Sequence, residues 1–227
     1  MSEKRLQGKR VLVTQADDYM GPATLELFRE HGAEVIADTS DLRDPERAAE
    51  LVAEAGTLDV LVANLAAPAN VGVLAPDIDD ELWHTMFDKM VHPLHRLCRA
   101  ALPGMIERRA GKIVVYGSAT GVKAFAGVSA YSAARAAQVG YVRTTGTEVA
   151  PHNVQINLIA QNWVENPEYF PPALAASPAF QSLLEQQVPA GRLATAREDA
   201  LFALFLASDE SDFFVGQAIP FSGGWAQ

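Results

Sequence analysis

The chain's 227 residues are 49% hydrophobic and carry a formal net charge of -10 at pH 7, a balance that argues against nucleic acid or an anionic membrane as partner. Its one cysteine, Cys98, lies in an apolar helical segment; it excludes an internal disulfide, fits a reducing cytosol and reads as a small buried hydrophobe. No stretch is long and apolar enough to span a membrane and no signal peptide precedes the first strand, so a single cytoplasmic α/β domain over residues 1–227 is expected.

Strand and helix signals then alternate. Arg10–Thr14 predicts a strand, and Pro22–His31 a helix stopped by Gly32. Glu34–Ala37 predicts a short strand and Pro45–Ala55 a helix with proline in its first turn. Val60–Ala63 is a strand ending at Asn64; Asp79–Met90 and Pro93–Leu102 are helical, read as one long helix kinked at Pro93. The apolar run Lys112–Ser118 predicts a buried strand, and an alanine-rich helix follows from Ala130 to about Val149. Gln155–Ala160 is a further strand, after which Asn162–Pro172 forms a loop rich in aromatics and prolines. Two helices, Ala179–Gln187 and Arg197–Leu206, precede a last strand at Ala218–Phe221. Repeated strand–helix alternation with apolar strands means a doubly wound parallel sheet, Rossmann-like, with helices on both faces.

In such a sheet ligands bind at the carboxyl ends of the strands, where Ser118 falls. Tyr131 and Arg135 are four apart and share one face of their helix. A free phenol has a pKa near ~10 and is a poor base. A guanidinium about 4 Å away contributes roughly 4 kcal/mol at an effective dielectric of ~20, enough to favour the phenolate by up to ~3 pKa units before desolvation subtracts. Arginine keeps its proton, so it tunes rather than relays. Ser118 adds a donor to the same substrate oxygen. The trio reads as a base aimed at an alcohol, or an acid aimed at an ether or epoxide oxygen. His84, His92 and His95 have no further ligand cluster near them in sequence and point to no metal.

The element order, Ser118 and Tyr131 thirteen residues apart, Val60-Leu61-Val62-Ala63-Asn64, Leu102-Pro103 and Val215-Gly216-Gln217 followed by Gly223-Gly224 resemble the short-chain dehydrogenase/reductase superfamily over nearly the whole chain. The resemblance implies NAD(P), but four departures remove its site. The phosphate loop Thr-Gly-x-x-x-Gly-x-Gly falls on Thr14–Gly21, where only the first and last positions are kept, Tyr19 adds a ring and Asp17 and Asp18 add carboxylates. A diphosphate needs close backbone approach at a helix amino end, so lost volume and like charge act in the same direction. Between Asp38 and Asp59 there is room for one helix only, and Asp38, where a ribose-binding acid would stand, reads as a relic or a solvated charge. The superfamily's lysine is Arg135, its relay asparagine aligns with Met90, and its Pro-Gly after the sixth strand is Gln161-Asn162.

With the triad Ser118, Tyr131 and Arg135, a blocked glycine loop and the stretch Asn162–Pro171, the sequence resembles the haloalcohol (halohydrin) dehalogenases, the short span after Asp38 being most like their B-type branch. That resemblance implies conversion of a vicinal haloalcohol to an epoxide, halide and proton, the reverse opening with halide, azide, cyanide or nitrite, no cofactor and no metal. It implies a halide site at Asn162 and the backbone N–H groups of Trp163 and Val164, and a pocket walled by Tyr19, Tyr169 and Phe170. It also implies a homotetramer, in which the exposed-looking Trp225 of the short tail would approach a neighbour. Lys123 is expected to be solvated. Two other classes stay open: an NAD(P)-dependent reductase with a degenerate loop, and an inactive binding protein.

Overall fold

The computed structural model describes residues 4–227. Six strands, β1 (Arg10–Val13), β2 (Glu34–Ala37), β3 (Val60–Asn64), β4 (Gly111–Tyr116), β5 (Val154–Gln161) and β6 (Ala218–Phe221), form one sheet in the order β2-β1-β3-β4-β5-β6. All five pairings are parallel. The helices are α1 (Gly21–Glu30), α2 (Arg47–Ala55), α3 (Asp80–Met90), α4 (His92–Arg108), α5 (Ser129–Val149), α6 (Pro172–Ala175), α7 (Pro178–Gln187) and α8 (Ala196–Ala207). None of them is long and apolar enough to cross a membrane.

Side chains alternate across a strand, and the two faces of the sheet carry different cores. Leu61 and Ala63 of β3, Ile113 and Val115 of β4, and Ile156 and Leu158 of β5 pack with residues of α2, α4 and α5. Val60 and Val62, Val114 and Tyr116, and Ile159 face the other way, with residues of α1 and α8. Both faces are covered, which is why these strands read as unbroken apolar runs rather than alternating ones. The Asp38–Asp59 span holds α2 alone, so β2 is the edge of the sheet. The order switches direction between β1 and β3, and the crevice at the carboxyl ends of β1, β3, β4 and β5 is where the chemistry-bearing residues gather.

Several boundaries differ from the sequence reading. β4 ends at Tyr116, and Ser118 starts a 3-10 turn over Ala119–Gly121. The helix predicted over Pro93–Leu102 begins at His92 and runs to Arg108 with Pro103 inside it; the break from α3 is at Val91, not a kink at Pro93. Pro93 occupies the first turn, where its missing N–H costs nothing. Past Pro103 the helix is held by burial: Met105 is fully enclosed and packs so closely on β4 that a Cβ at Gly111 would come within 2.5 Å of it.

Candidate active site

α5 sets the geometry. The turn Ala119–Gly121 lies so close to this helix that a Cβ at Gly121 would meet the Arg135 backbone at 2.8 Å. That approach brings the loop after β4 against Tyr131 and Arg135. Ser118, buried, caps the turn: its Oγ accepts from the Thr120 N–H at 3.2 Å and lies 3.0 Å from the Thr120 hydroxyl. Arg135 is only 1% exposed, and its guanidinium carbon lies 5.0 Å from the centroid of the Tyr131 ring. One guanidinium nitrogen donates to the carbonyls of Leu65 and Tyr116 and to Oε1 of Gln138, at 2.9, 3.0 and 2.9 Å. Gln138 in turn donates to the carbonyl of Met90 at 2.8 Å. Arg135 therefore ties the ends of β3 and β4 to α5 as well as facing the phenol. Burial opposes its charge, but the phenols of Tyr131 and Tyr169 outweigh it and hold the guanidinium pKa above its usual value.

Sequence reasoning missed two members of this network. Gln138 was legible in principle, as a polar side chain three residues beyond Arg135 on the same helical face. Tyr169 was expected only as a wall. Its hydroxyl lies 3.1 Å from that of Tyr131 and donates to the Ala67 carbonyl at 2.8 Å. An Asn166 side chain accepting from the Tyr169 N–H at 2.9 Å holds the loop turn that delivers it. Tyr19 packs on Tyr169 with ring centroids 5.2 Å apart. Its phenol is pushed up to about 12 by burial, then by Glu168, Tyr131 and Asp18, with Arg135 opposing.

Ser118, Tyr131, Asn162, Trp163, Val164, Tyr169 and Phe170 all line one largely apolar cavity of about 400 Å³. Tyr19 does not line it directly and acts through Tyr169. The expected anion nest is only partly open. The Trp163 N–H is taken by the side-chain oxygen of its neighbour Asn162 at 2.9 Å, and Trp163 itself is left-handed (φ 59°). Pairing of the loop with Ala194 uses the Trp163 carbonyl and the Glu165 N–H, which leaves the Val164 N–H outside that pairing. Two buried polar atoms of the same segment, Gln161 Oε1 and Trp163 Nε1, have no hydrogen-bond partner among the described residues.

The β1–α1 loop does not fit a dinucleotide. Three of its donors are already used: Ala16 N–H to Asp38 O, Asp18 N–H to Gln15 O, and Gly21 N–H to Asp18 O. Pro22 brings no donor to the first turn of α1, and that helix starts without a side-chain cap. The Gln15 side chain is bonded both ways to Ala66, and Asn64 donates to the carbonyls of Gln15 and Asp18, stapling the loop to the end of β3. A diphosphate needs free amides at the helix start, and here Asp18 and Gly21 spend theirs on the loop's own carbonyls and Ala16 spends its on Asp38.

Three expectations are corrected. Asp38 is 6% exposed and accepts from the Ser40 hydroxyl at 2.6 Å through one oxygen, with Arg47 at 3.8 Å, so it is a buried acid rather than a solvated charge. Trp225 is 5% exposed and packs in its own chain with Trp163, Phe180 and Leu184, because the two glycines before it turn the tail back over the loop. The Lys123 ammonium lies 4.6 Å from the centre of the Trp225 ring and donates to the Trp225 carbonyl, so it straps the tail instead of standing free. His92 pairs with Asp88 at 2.9 Å and His95 lies edge-on to Tyr141; no three potential metal ligands meet among the described residues.

A family model described as enoyl-(acyl carrier protein) reductase matches residues 4–226. The 3-oxoacyl-[acyl-carrier-protein] reductase of Vibrio harveyi is 32% identical over 96% of this chain and 98% of its own length. The enzyme of that name from Escherichia coli is 30% identical over 96% and 97%. Among solved structures, one described as "Dehalogenation enzyme" superposes with a TM-score of 0.91 at 30% identity, covering 98% of this chain and 100% of that one. A gluconate 5-dehydrogenase from Burkholderia cenocepacia, in complex with NADP and tartrate, gives 0.88 at 24% identity over 98% and 97%, a likeness of fold.

Proposed function

The chain belongs to the short-chain dehydrogenase/reductase superfamily, and from that membership we propose that it is a cofactor-independent haloalcohol dehalogenase acting on small haloalcohols and epoxides. The reading rests on one contrast within the crevice. The β1–α1 loop carries Tyr19 in place of a glycine, lacks a donor at Pro22 and is stapled to the end of β3 by Gln15 and Asn64, while Ser118, Tyr131 and the Asn162–Val164 segment share an open apolar cavity. The 30% identity to a protein described as a dehalogenation enzyme, over nearly the full length of both chains, supports it.

In the proposed step the Tyr131 oxygen, as phenolate, takes the proton of the substrate hydroxyl while Ser118 donates to the same oxygen. The alkoxide electron pair attacks the neighbouring carbon, the carbon–halogen bond breaks, and halide leaves with that pair. The attack is intramolecular, so orientation in the cavity removes most of its entropic cost. Arg135, buried, places its charge over the Tyr131 ring. The leaving anion meets the Val164 N–H first, and the Trp163 N–H once the Asn162 side chain releases it. The apolar walls of Trp163, Tyr169 and Phe170 offer no base that would activate water against the epoxide.

The second reading, an NADP-dependent reductase, is favoured by the names of the curated relatives. One assay separates the two, together with an inactive binding protein. Purified protein is expected to release chloride from 1,3-dichloro-2-propanol with no nucleotide added, and to show no thermal stabilisation by NADP or NADPH. Nucleotide-dependent turnover of a carbonyl substrate, with no chloride released, would establish the reductase; ligand binding with neither turnover would establish the binding protein.

A further inference from the structure

The Tyr169 hydroxyl lies between two oxygens, that of Tyr131 at 3.1 Å and the Ala67 carbonyl at 2.8 Å. A carbonyl only accepts, so while both phenols are neutral Tyr169 gives its proton to Ala67 and accepts one from Tyr131. That direction turns the Tyr131 proton away from the cavity. Once Tyr131 is ionised it has no proton to give, and the Tyr169 O–H has a second acceptor within reach, now charged. A hydrogen bond to a charged oxygen is about twice as strong as one between neutral groups, so the rotor turns toward Tyr131.

We propose that Tyr169 is a positioning residue for Tyr131, its hydroxyl swinging from the Ala67 carbonyl to the Tyr131 oxygen when that oxygen ionises. The inference rests on the reading of Tyr131 as the base. Tyr169 suits the task because burial, together with Tyr131, keeps its own phenol well above the ordinary range, so it stays a donor. The other groups facing this pair are few. Arg135 comes from α5, Tyr19 and Asp18 come from the β1–α1 loop, and Glu168 precedes Tyr169 on its own loop. From α3 the Tyr131 packing cluster receives the apolar Met86 and Met90. No histidine stands in this set, and Arg135 keeps its proton throughout.

The test is the pH profile of chloride release by Tyr169→Phe, with Tm measured alongside. Loss of one donor to the phenolate is expected to move the acid limb up by about one pH unit, a tenfold loss on the limb, with the high-pH plateau kept. A merely structural Tyr169 would lower Tm or raise KM and leave the limb in place, and that result overturns the proposal. Should the phenylalanine variant fold poorly, 3-fluorotyrosine at position 169 preserves shape and strengthens the donor; the limb must then move to lower pH, and an unmoved limb overturns the proposal equally. Ultraviolet titration of phenolate, with Tyr131→Phe as the blank, reads the same shift without turnover. A wild type that releases no halide but whose Tyr131 titration responds to position 169 would sink the dehalogenase reading and keep the phenol pair. Turnover with both limb and titration unmoved would do the reverse.

Discussion

Two halves of one crevice behave differently. At the carboxyl end of β1, the loop Thr14–Gly21 is tied down by its surroundings: the Asp18 and Gly21 amides meet loop carbonyls, Ala16 meets Asp38, Gln15 clasps Ala66, and Asn64 closes the arrangement from β3. At the ends of β4 and β5 the same crevice opens into a cavity of about 400 Å³, with Ser118 and Tyr131 at its wall and two buried polar atoms, Gln161 Oε1 and Trp163 Nε1, left without partners among the described residues. Burying an unpartnered polar group is costly, and beside a cavity a ligand can supply the missing partner. The first half is stapled to the neighbouring strand, and the second leaves the larger, apolar space beside Ser118 and Tyr131.

The largest effect is expected on the open side. Tyr131→Phe removes the proton acceptor and should lower the rate of chloride release by about 10²–10⁴ with Tm nearly unchanged, as steady-state kinetics and a melting curve would show. Retained turnover would break the assignment of the base. Arg135→Met links the two sides, because three acceptors lose their donor when the guanidinium goes. Unpaired buried acceptors cost about 1–3 kcal/mol each, so urea unfolding should show a loss of several kcal/mol, in contrast to the Tyr131 variant.

Behind the closed loop lies Asp199, 0% exposed, with neither carboxylate oxygen partnered among the described residues. Burial raises its pKa well above the usual value. A carboxyl raised on folding leaves stability intact below its unfolded pKa and removes it as pH climbs toward the folded one. From about pH 4 upward the loss is about 1.4 kcal/mol per unit until the folded pKa is reached. Asp199→Asn abolishes that dependence, so its stabilisation over the parent should grow with pH and reach about 1–4 kcal/mol at pH 7 in chemical unfolding. A pH-independent difference would mean that this carboxyl has a partner after all.

Tyr19→Gly probes the closed side by itself and should change least. Its left-handed backbone (φ 50°) costs an L-residue about 1–2 kcal/mol that glycine avoids, against a ring contact with Tyr169 worth about 0.5–1.5 kcal/mol. Stability should therefore move by less than about 1 kcal/mol. NADP should still give no thermal shift, because Gln15 and Asn64 continue to staple the loop to the end of β3. A clear shift would show that the ring alone had closed the nucleotide site.

Much of this was legible in the residues. The parallel order of strands follows from apolar runs alternating with helical periodicity, and the edge at β2 follows from a span after Asp38 too short for another strand. Tyr131 over Arg135 follows from a spacing of four on a helix, which fixes neighbours before any tertiary contact forms. Local pattern went astray where burial overrules propensity: Pro103 stays inside α4 because Met105 is enclosed, and Trp225 is covered because the tail folds back.

What the sequence determined by itself is everything carried by short-range geometry: strand, helix, the shared face of Tyr131 and Arg135, and the loss of glycines from the loop after β1. The tertiary structure alone decided which hydroxyl Tyr131 meets, which carbonyls hold Arg135, and that Asn162 covers the Trp163 N–H. Hydrogen bonds reach about 3 Å and join partners 38 or 70 residues apart in the chain, so their pairing exists only once the packing has brought those partners together.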